Sequence, residues 1–359
     1  MCGIVGYIGK REAYLIIVNA LKRLEYRGYD SAGVALYDGT NIQLSKTKGK
    51  VLDLENRVAN EISSNGSLGI GHTRWATHGV PNDINSHPHY SNSGDLVIIH
   101  NGIIENYASI KKELINRGYH FNSDTDTEVL VNLIEEIKKQ ENVKLGKAVQ
   151  IALNQVVGAY AIALFDKNKP DEIVVAKLGS PLAIGIGDDE FFVASDATPF
   201  IEFTNNAIYL EDEEMAIIRR GRDVKVRKIK GDNLVKPYVQ ELQLNIEQIE
   251  KGGYDHFMLK EICEQWNTVS KSMQIDESIL SNFASKINSN RELYITGAGA
   301  AFFIAEQIAW MFRQHTDIRI TCVPAYDSEE YLKQMEKGDL LLAISQSGET
   351  ADTLRFVQQ

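Results

Sequence analysis

The order of apolar and polar positions divides the chain into two parts with different predicted architectures. Up to about residue 240, short apolar or alternating runs typical of strands surround a few amphipathic helical stretches. Apolar residues at helical spacing cover 11–26, 105–118 and 126–158. Strands are predicted at 1–9, 32–37, 42–47, 67–75, 95–102, 159–166, 172–178, 182–187, 191–195, 207–210, 215–219 and 223–229. A block rich in strands with grouped helices predicts an α+β layered domain.

The pattern changes after residue 240. Residues 241–256 are polar and contain Gly252 and Gly253, which is typical of a linker. The range 257–359 then alternates predicted helices at 257–274, 300–312 and from 349 onward with predicted strands at 293–296, 318–323 and 340–345. Strands that alternate with helices predict a parallel α/β sheet. A doubly wound sheet normally has more strands, so we expect this second domain to be incomplete in the chain.

Composition and charge exclude several classes of protein. The chain has 359 residues, which fits two domains, and its 43% hydrophobic and 24% charged residues are ordinary for a globular protein. A net charge of −11 opposes nucleic acid or an anionic membrane as the main partner. The sequence contains no run of 18 apolar residues, so we expect no transmembrane helix. It begins with no pattern typical of a secretory signal, and three cysteines are too few for a disulfide scaffold. We therefore expect a cytoplasmic protein with reduced thiols.

One cysteine stands at an unusual place, directly after the initiator Met. If Met1 is removed, Cys2 carries a thiol and a free α-amino group in one residue. An α-amine has a pKa of about 7.7–8.0 and a thiol about 8.5, so the amine can take the thiol proton near neutral pH. This arrangement indicates a nucleophile that uses the chain end as its base. The alternative is a small buried hydrophobe in the first strand, and position alone favours that alternative.

A second cluster of reactive side chains follows the predicted strand 67–75. The run 72–79 contains two histidines, Arg74, Trp75 and two threonines, and His87 and His89 follow shortly. Histidine is a common metal ligand, but these spacings match no standard zinc pattern. Arg74 favours an anion instead, because a guanidinium pairs with a carboxylate through two hydrogen bonds.

Two further motifs have both a functional and a structural interpretation. Asn101 and Gly102 end an apolar strand, where an amide and a glycine N–H suit an oxyanion hole, although spacing alone favours an Asn-Gly turn. Asp126 lies in the polar run 123–128 before a helical stretch. It suits a substrate ammonium, although local sequence favours a helix N-cap.

Together these motifs identify a family. The chain resembles the glucosamine-6-phosphate synthases, isomerising glutamine–fructose-6-phosphate aminotransferases whose N-terminal part is a class II glutamine amidotransferase. The resemblance covers 1–260 almost continuously and continues more weakly to 359. The segments that carry it are 1–6, 24–33, 72–79, 100–106, 125–128 and 254–262.

The resemblance implies an N-terminal-nucleophile (Ntn) hydrolase fold, a four-layer αββα sandwich, over 2–240. A linker at 241–256 and a first SIS (sugar isomerase) domain, truncated, at 257–359 follow. It implies that Cys2 attacks the side-chain amide of L-glutamine with its own amine as base, while Asn101 and Gly102 form the oxyanion hole. Glutamate and ammonia are the products, and neither a metal nor an organic cofactor is expected.

The resemblance also assigns the residues that bind glutamine. Arg74 holds the α-carboxylate and Asp126 the α-ammonium, and Trp75 gates the ammonia route. Thr77 and His78 line the same pocket, and His87 and Arg27 help to order it.

In the second domain the resemblance assigns sugar-phosphate binding to Ser345, Gln346, Ser347 and Thr350. A serine-rich loop before a helix directs backbone N–H groups toward an anion, and the alternative is a simple helix cap. The stretch 297–302 departs from the family because Ala300 and Ala301 replace a hydroxyl pair, and 326–331 carries extra acidic residues. We expect weaker phosphate binding from these changes.

The expected function is transfer of ammonia from glutamine to fructose-6-phosphate, giving glucosamine-6-phosphate, with the synthase half incomplete. Expected partners are a homodimer mate through the SIS domain and a separate chain that supplies a second SIS domain. One alternative is the glutaminase component of a split or divergent amidotransferase with another acceptor. A second is a non-catalytic sugar-phosphate-binding protein with an inert Cys2.

Overall fold

The computed structural model describes residues 2–62, 66–75, 79–242, 254, 256–288, 291–346, 348 and 350–359. The chain divides into two compact units, 1–253 and 254–359, which we treat separately. Among the described residues, no helix is both long and apolar enough to cross a membrane.

The first unit contains two antiparallel sheets. One has eight strands: β1 (Gly3–Ile8), β2 (Ser31–Tyr37), β3 (Ile42–Lys48), β4 (Leu68–Arg74), β9 (Ala183–Ile186), β10 (Phe191–Ala194), β11 (Asn206–Tyr209) and β15 (Val239–Glu241). The other has seven: β5 (His89–Tyr90), β6 (Leu96–Ile104), β7 (Gly158–Asp166), β8 (Glu172–Leu178), β12 (Glu214–Arg219), β13 (Lys225–Lys228) and β14 (Leu234–Val235). Their orders are β15-β11-β9-β10-β1-β4-β2-β3 and β14-β13-β12-β8-β7-β6-β5.

Helices cover the outer face of each sheet. Helices α1 (Ala13–Leu24) and α2 (Val51–Glu61) pack on the eight-stranded sheet, and α3 (Tyr107–Asn116), α4 (Asp126–Gln140) and α5 (Leu145–Leu153) pack on the seven-stranded one. A third apolar core lies between the two sheets. These layers make the predicted four-layer αββα sandwich, which is confirmed.

Strand alternation explains how one sequence fills three cores. Successive side chains of a strand point to opposite faces of the sheet. In β1, Ile4 lies in the core between the sheets, whereas Val5 packs against α1 and α2. In β6, Ile99 faces the other sheet and Ile98 faces α4 and α5. The strands are therefore apolar on both faces, which is why they appear as continuous apolar runs in the sequence.

Three local predictions differ from the structure. The helical pattern over 126–158 is interrupted: α4 ends at Gln140 and α5 begins at Leu145, with Asn142 at a positive φ of 48° in the turn between them, and α5 ends at Leu153. The Asn-Gly turn is also wrong, because residues 101 and 102 lie inside β6. Strand β15 extends through Glu241, at the start of the predicted linker, and most of that linker (243–253 and 255) lies outside the described residues.

The second unit has three parallel strands in the order β17-β16-β18. Its elements are α6 (Phe257–Ser272), α7 (Glu277–Asn288), β16 (Leu293–Gly297), α8 (Ala300–His315), β17 (Ile320–Pro324), α9 (Ser328–Leu332), β18 (Leu340–Ala343) and α10 (Ala351–Gln358). Alternate β16 residues serve two cores: Ile295 packs with α8, and Tyr294 packs with Phe356 of α10. Helices thus cover both faces of the sheet, as predicted for a doubly wound domain.

Candidate active site

The thiol of Cys2 lies at the end of β4. Strand β1 pairs with β4 in the antiparallel register Gly3 to Thr73, which brings Cys2 opposite Arg74 and next to Trp75. The Trp75 N–H donates to Cys2 Sγ at 3.2 Å. On the other side, Arg27 Nε donates to the Cys2 carbonyl oxygen at 3.2 Å, and Arg27 forms an ion pair with Asp196. Backbone and thiol of Cys2 are therefore both fixed.

The surroundings of Cys2 keep its thiol protonated at rest. Burial raises the pKa of the Cys2 thiol, and the nearby Asp30 carboxylate acts in the same direction. The hydrogen bond from Trp75 and the positive charge of Arg74 lower this pKa, but burial is the larger effect. Because the thiolate is the reactive form of cysteine, a base must remove the proton when the thiol reacts.

The side-chain amide of Asn101 is held in one orientation beside Cys2. Its Nδ2 lies 3.0 Å from the Cys2 carbonyl oxygen and 3.2 Å from the hydroxyl oxygen of Ser195. Its Oδ1 lies 2.8 Å from Nε2 of His72. Burial lowers the pKa of His72 to about 3, so the ring is neutral, and Nε2 must carry the hydrogen that it shares with Asn101. The N–H donors of Asn101 consequently point toward Cys2.

Gly102 brings bare backbone next to Asn101. Its φ is +134°, and a Cβ at this position would collide with the backbone carbonyl of Ala159 on β7. The residue is exposed, in contrast to Asn101. Only glycine fits this conformation and contact, so exposed backbone without a Cβ follows Asn101 directly in the chain.

Two buried side chains of opposite charge share the pocket. Arg74 at the end of β4 is 4% exposed, and Asp126 at the start of α4 is 5% exposed. Burial lowers the pKa of Arg74, while the acidic groups Asp30, Cys2 and Asp126 raise it, so all four groups share one electrostatic environment. Asp126 Oδ2 accepts a hydrogen bond from the Ile104 N–H at 2.7 Å. The two charges complement the carboxylate and ammonium of an α-amino acid.

A cluster of buried histidines lies behind the pocket. The rings of His72 and His87 stack with centroids 4.4 Å apart, and His89 packs edge-on to His87 at 4.8 Å. His87 and His100 both contact the hydroxyl of Thr127, at 2.8 and 3.0 Å. Burial lowers the pKa values of His87 and His89 well below 6.5. In the part of the chain that the structure describes, no group of His, Cys, Asp or Glu side chains is arranged to hold a metal ion.

Of the other residues predicted for this pocket, the structure describes Trp75 but not Thr77 or His78. The indole of Trp75 is half exposed and packs edge-to-face on Tyr29, with centroids 5.8 Å apart. Thr77 and His78 lie outside the described residues. Ser195 and Thr127 were not singled out from the sequence, although both contact predicted site residues. Thr127 belongs to the 125–128 motif, whereas Ser195 has no local signal.

In the second unit, the predicted sugar-phosphate loop follows β18. Strands β16 and β18 are parallel neighbours, so the loops after them lie at the same sheet edge. Ser345 Oγ accepts from the Gly348 N–H at 3.0 Å, and Gln346 is exposed. Thr350 is the N-cap residue of α10 but makes no side-chain cap hydrogen bond. Ser347 lies outside the described residues.

The altered loop after β16 begins α8. Gly299 is its N-cap residue, with φ +57°, and a Cβ on Gly297 would come within 2.7 Å of the Ala301 backbone. Tight packing therefore requires glycine at 297. Ala300 and Ala301 form the first turn of α8.

Two family matches agree with this division of the chain. Residues 58–220 match the glutamine amidotransferase domain family, and residues 286–359 match the SIS domain family.

Curated relatives match along the whole chain. The glutamine–fructose-6-phosphate aminotransferase (isomerizing) of Bacteroides thetaiotaomicron is 49% identical over 100% of this chain and 60% of its own length. The enzymes of the same name from Chlorobaculum tepidum and Thermococcus kodakarensis are 44% and 43% identical, each over 99% of this chain. The chain spans about 60% of the length of these relatives.

Solved structures support the fold. The glutamine phosphoribosylpyrophosphate amidotransferase of B. subtilis, complexed with ADP and GMP, matches 98% of this chain and 92% of its own with a TM-score of 0.58 at 20% identity. An allosteric regulatory enzyme of purine biosynthesis matches with a TM-score of 0.57, also at 20% identity. The chain therefore belongs to the glutamine amidotransferases, with a SIS domain after an Ntn-hydrolase amidotransferase domain, and is homologous over its whole length to the glutamine–fructose-6-phosphate aminotransferases.

Proposed function

We propose that the first unit hydrolyses L-glutamine at Cys2 and releases glutamate and ammonia. The observation that carries this proposal is the placement of one thiol among the amide of Asn101, the backbone of Gly102 and the buried charges Arg74 and Asp126. A thiol nucleophile, donors for an oxyanion and a site for a zwitterion are the parts that this reaction needs.

The reaction proceeds through a thioester. Once Met1 is removed, the α-amine of Cys2 takes the thiol proton, and Sγ attacks the side-chain amide carbon of glutamine. The amide oxygen becomes an oxyanion, which accepts hydrogen bonds from Asn101 Nδ2 and the Gly102 N–H. Breaking of the C–N bond expels ammonia, which receives the proton from the α-ammonium. A water molecule, deprotonated by the same amine, then attacks the thioester, and glutamate leaves with the thiol restored.

The α-amino acid end of glutamine is held away from the reacting carbon. Arg74 binds the α-carboxylate through its guanidinium fork, and Asp126 accepts from the α-ammonium. Arg27 and His87 act on the site through neighbours: Arg27 holds the Cys2 backbone, and His87 contacts Thr127 beside Asp126.

Substituting Arg74 tests this assignment. Arg74→Gln is expected to raise KM for glutamine roughly 100-fold, because a charged hydrogen bond contributes about 1.5–3 kcal/mol. The rate at which iodoacetamide alkylates Cys2 should fall by much less than this, because that reagent has no carboxylate and loses only the effect of Arg74 on the pKa of the thiol. Arg117→Gln, which removes an exposed arginine paired with Glu113 and Glu136, is the matched control. An unchanged KM in Arg74→Gln contradicts the carboxylate role.

We further propose that the ammonia is used to convert fructose-6-phosphate to glucosamine-6-phosphate. The names of the curated relatives and the SIS match at 286–359 support this acceptor. The alanines at 300 and 301 suggest that the described part of the SIS domain binds a sugar phosphate weakly on its own.

An incubation of the purified chain with glutamine and fructose-6-phosphate tests both proposals together. The expected result is glutamate without glucosamine-6-phosphate, because the chain spans only part of its relatives' length. Formation of both products contradicts the expectation that amination needs more than this chain. Absence of glutamate contradicts glutamine hydrolysis at Cys2.

The second unit also carries a surface suited to association. Met258, Ile262, Trp266 and Val269 follow one another along α6 at helical spacing, and each is more than half exposed. Such a stripe typically packs on another apolar surface. We propose that it mediates homodimerisation through the second unit.

A further inference from the structure

Lys46 makes a set of contacts that the proposed chemistry does not use. It lies in β3, at the edge of the eight-stranded sheet. Its Nζ donates to the backbone carbonyls of Ile84, Ser86 and Pro88, at 2.9, 2.8 and 3.3 Å. An ammonium has three N–H donors, so these three carbonyls satisfy it completely. Burial lowers the pKa of Lys46 to about 8, which agrees with an ammonium withdrawn from water.

The carbonyls belong to residues 79–88, the described stretch that leads into β5 from the connection after β4. Asp83 in this segment accepts from the Lys48 N–H at 2.8 Å and forms an ion pair with Arg57 of α2 at 2.5 Å. The Asn85 amide donates to the Val80 carbonyl at 3.2 Å and so closes the segment on itself. Lys46 and Asp83 therefore attach the segment to the edge of the first sheet and to α2.

The same segment contacts Arg74 directly and the chain neighbours of Asp126, the two charged groups proposed to bind glutamine. At one end, the Gly79 carbonyl accepts from Arg74 at 3.3 Å. Further along, the Asn85 side chain makes two hydrogen bonds with Asp124, which precedes Asp126 by two residues. Asn85 Nδ2 donates to the Asp124 carboxylate at 3.2 Å, and the Asp124 backbone N–H donates to Asn85 Oδ1 at 3.0 Å.

At the other end, His87 lies between Ser86 and Pro88, whose carbonyls bind Lys46. Its ring contacts the hydroxyl of Thr127, directly after Asp126, at 2.8 Å. A displacement of residues 84–88 would consequently be transmitted to the start of α4 as well as toward Arg74.

We propose that Lys46 is a positioning residue for glutamine binding: its ammonium fixes residues 84–88 so that Arg74 and Asp126 keep the separation that the α-carboxylate and α-ammonium require. The inference rests on the proposed glutaminase function and concerns the affinity of the same site. Lys46 has no contact with Cys2, so it acts on substrate position and leaves the reactivity of the thiol unchanged.

Kinetics of a matched pair of variants test the proposal. Lys46→Met removes all three donors and is expected to raise KM for glutamine at least about tenfold, with kcat within about threefold of wild type. Lys48→Met removes the same charge from an exposed side chain of the same strand and should leave both constants unchanged. Lys46→Arg keeps the charge but offers a planar donor set, so its KM should lie between those of wild type and Lys46→Met.

A second readout separates positioning from general damage. A diazoketone analogue of glutamine needs the α-amino acid pocket to reach Cys2, whereas iodoacetamide does not. In Lys46→Met, alkylation of Cys2 by the analogue should slow at least about tenfold, while alkylation by iodoacetamide keeps its rate. Equal slowing with both reagents, or an unchanged KM, overturns the proposal. If Lys46→Met does not fold, the KM of Lys46→Arg decides, and a value equal to that of wild type overturns the proposal.

Different results would contradict the glutaminase function and the positioning role of Lys46. If wild-type protein reacts with iodoacetamide but neither hydrolyses glutamine nor reacts with the analogue, the glutaminase function is wrong. If wild-type protein reacts with both reagents and the Lys46 variants match it, only the positioning role is wrong.

Discussion

Cys2→Ala is expected to abolish glutamine hydrolysis, with kcat lowered by at least about 10⁴-fold. The substitution removes the single atom that forms the thioester, and neither Asn101 nor the buried pair Arg74 and Asp126 can replace a nucleophile. The fold should persist, because Cys2 precedes β1 and its backbone contacts to Arg27 and Asn101 need no side chain. Glutamate release by the variant and its wild-type far-UV circular dichroism are the two measurements.

A control variant and a second inactive form of the protein test whether the loss of hydrolysis is due to the Cys2 thiol and its amine. Cys263→Ala changes an exposed thiol in the second unit and should retain full hydrolysis. Wild-type protein that retains Met1 should also be inactive, because the peptide bond to Met1 acylates the α-amine of Cys2, the proposed base. Intact mass spectrometry identifies this form. Hydrolysis by Cys2→Ala at more than about a hundredth of the wild-type rate would assign the chemistry to another group.

The sequence predicted most of the layered fold because each strand obeys a local rule. In β1 and β6, alternate residues fill different cores, and continuous apolar runs with nearby turn residues expose this pattern. The predicted helix boundaries were wrong where the apolar pattern of one helix continues across a turn into the next helix. Leu145 and Val149 of α5 continue the helical spacing of α4, so the turn at Asn142 was invisible. Helix α2 was not predicted, although its buried apolar residues Val51, Leu54 and Val58 lie at helical spacing.

Only some residues of the candidate site could be predicted from the sequence. Cys2, Asn101 and Arg74 could be predicted because each stands in a short motif of reactive or polar residues. Lys46 and Ser195 have ordinary neighbours in the sequence, and their contacts lie 38–42 and 94–191 residues away. Such contacts follow from strand order and register, which no local pattern fixes.

The histidines show how packing changes an interpretation. Residue type alone makes His72, His87 and His89 candidate metal ligands, but the three rings pack on one another and each bonds to a hydroxyl or an amide of the protein. Their burial favours the neutral form. The cluster thus supports Asn101 and Thr127 with neutral rings. Keeping the rings neutral in the folded state is expected to lower the stability of the first unit at acidic pH.

Stability of the first unit is expected to fall steeply below pH 6.5. Burial lowers the pKa of His72 to about 3 and those of His87 and His89 well below 6.5, so the folded state leaves them neutral. The unfolded chain binds protons on these residues near pH 6.5. Unfolding therefore takes up protons, and stability decreases as pH falls through 6.5 and continues to decrease toward the folded pKa values. Each histidine contributes about 1.4 kcal/mol per pH unit, hence about 4 kcal/mol per unit for all three.

Denaturant unfolding between pH 8 and 4.5 measures this slope. Trp266 and Trp310 are exposed in the second unit, so replacing both with Phe leaves Trp75 fluorescence to report on the first unit. His89→Gln keeps a polar side chain beside Thr125 and should reduce the slope by roughly a third, because one of three titrating groups is gone. His120→Gln, at an exposed position, should not change it. A wild-type slope below about 1 kcal/mol per unit between pH 6 and 5 would mean that these rings protonate in the folded state. The support of Asn101 would then carry charge, and its amide would no longer be held by a neutral donor.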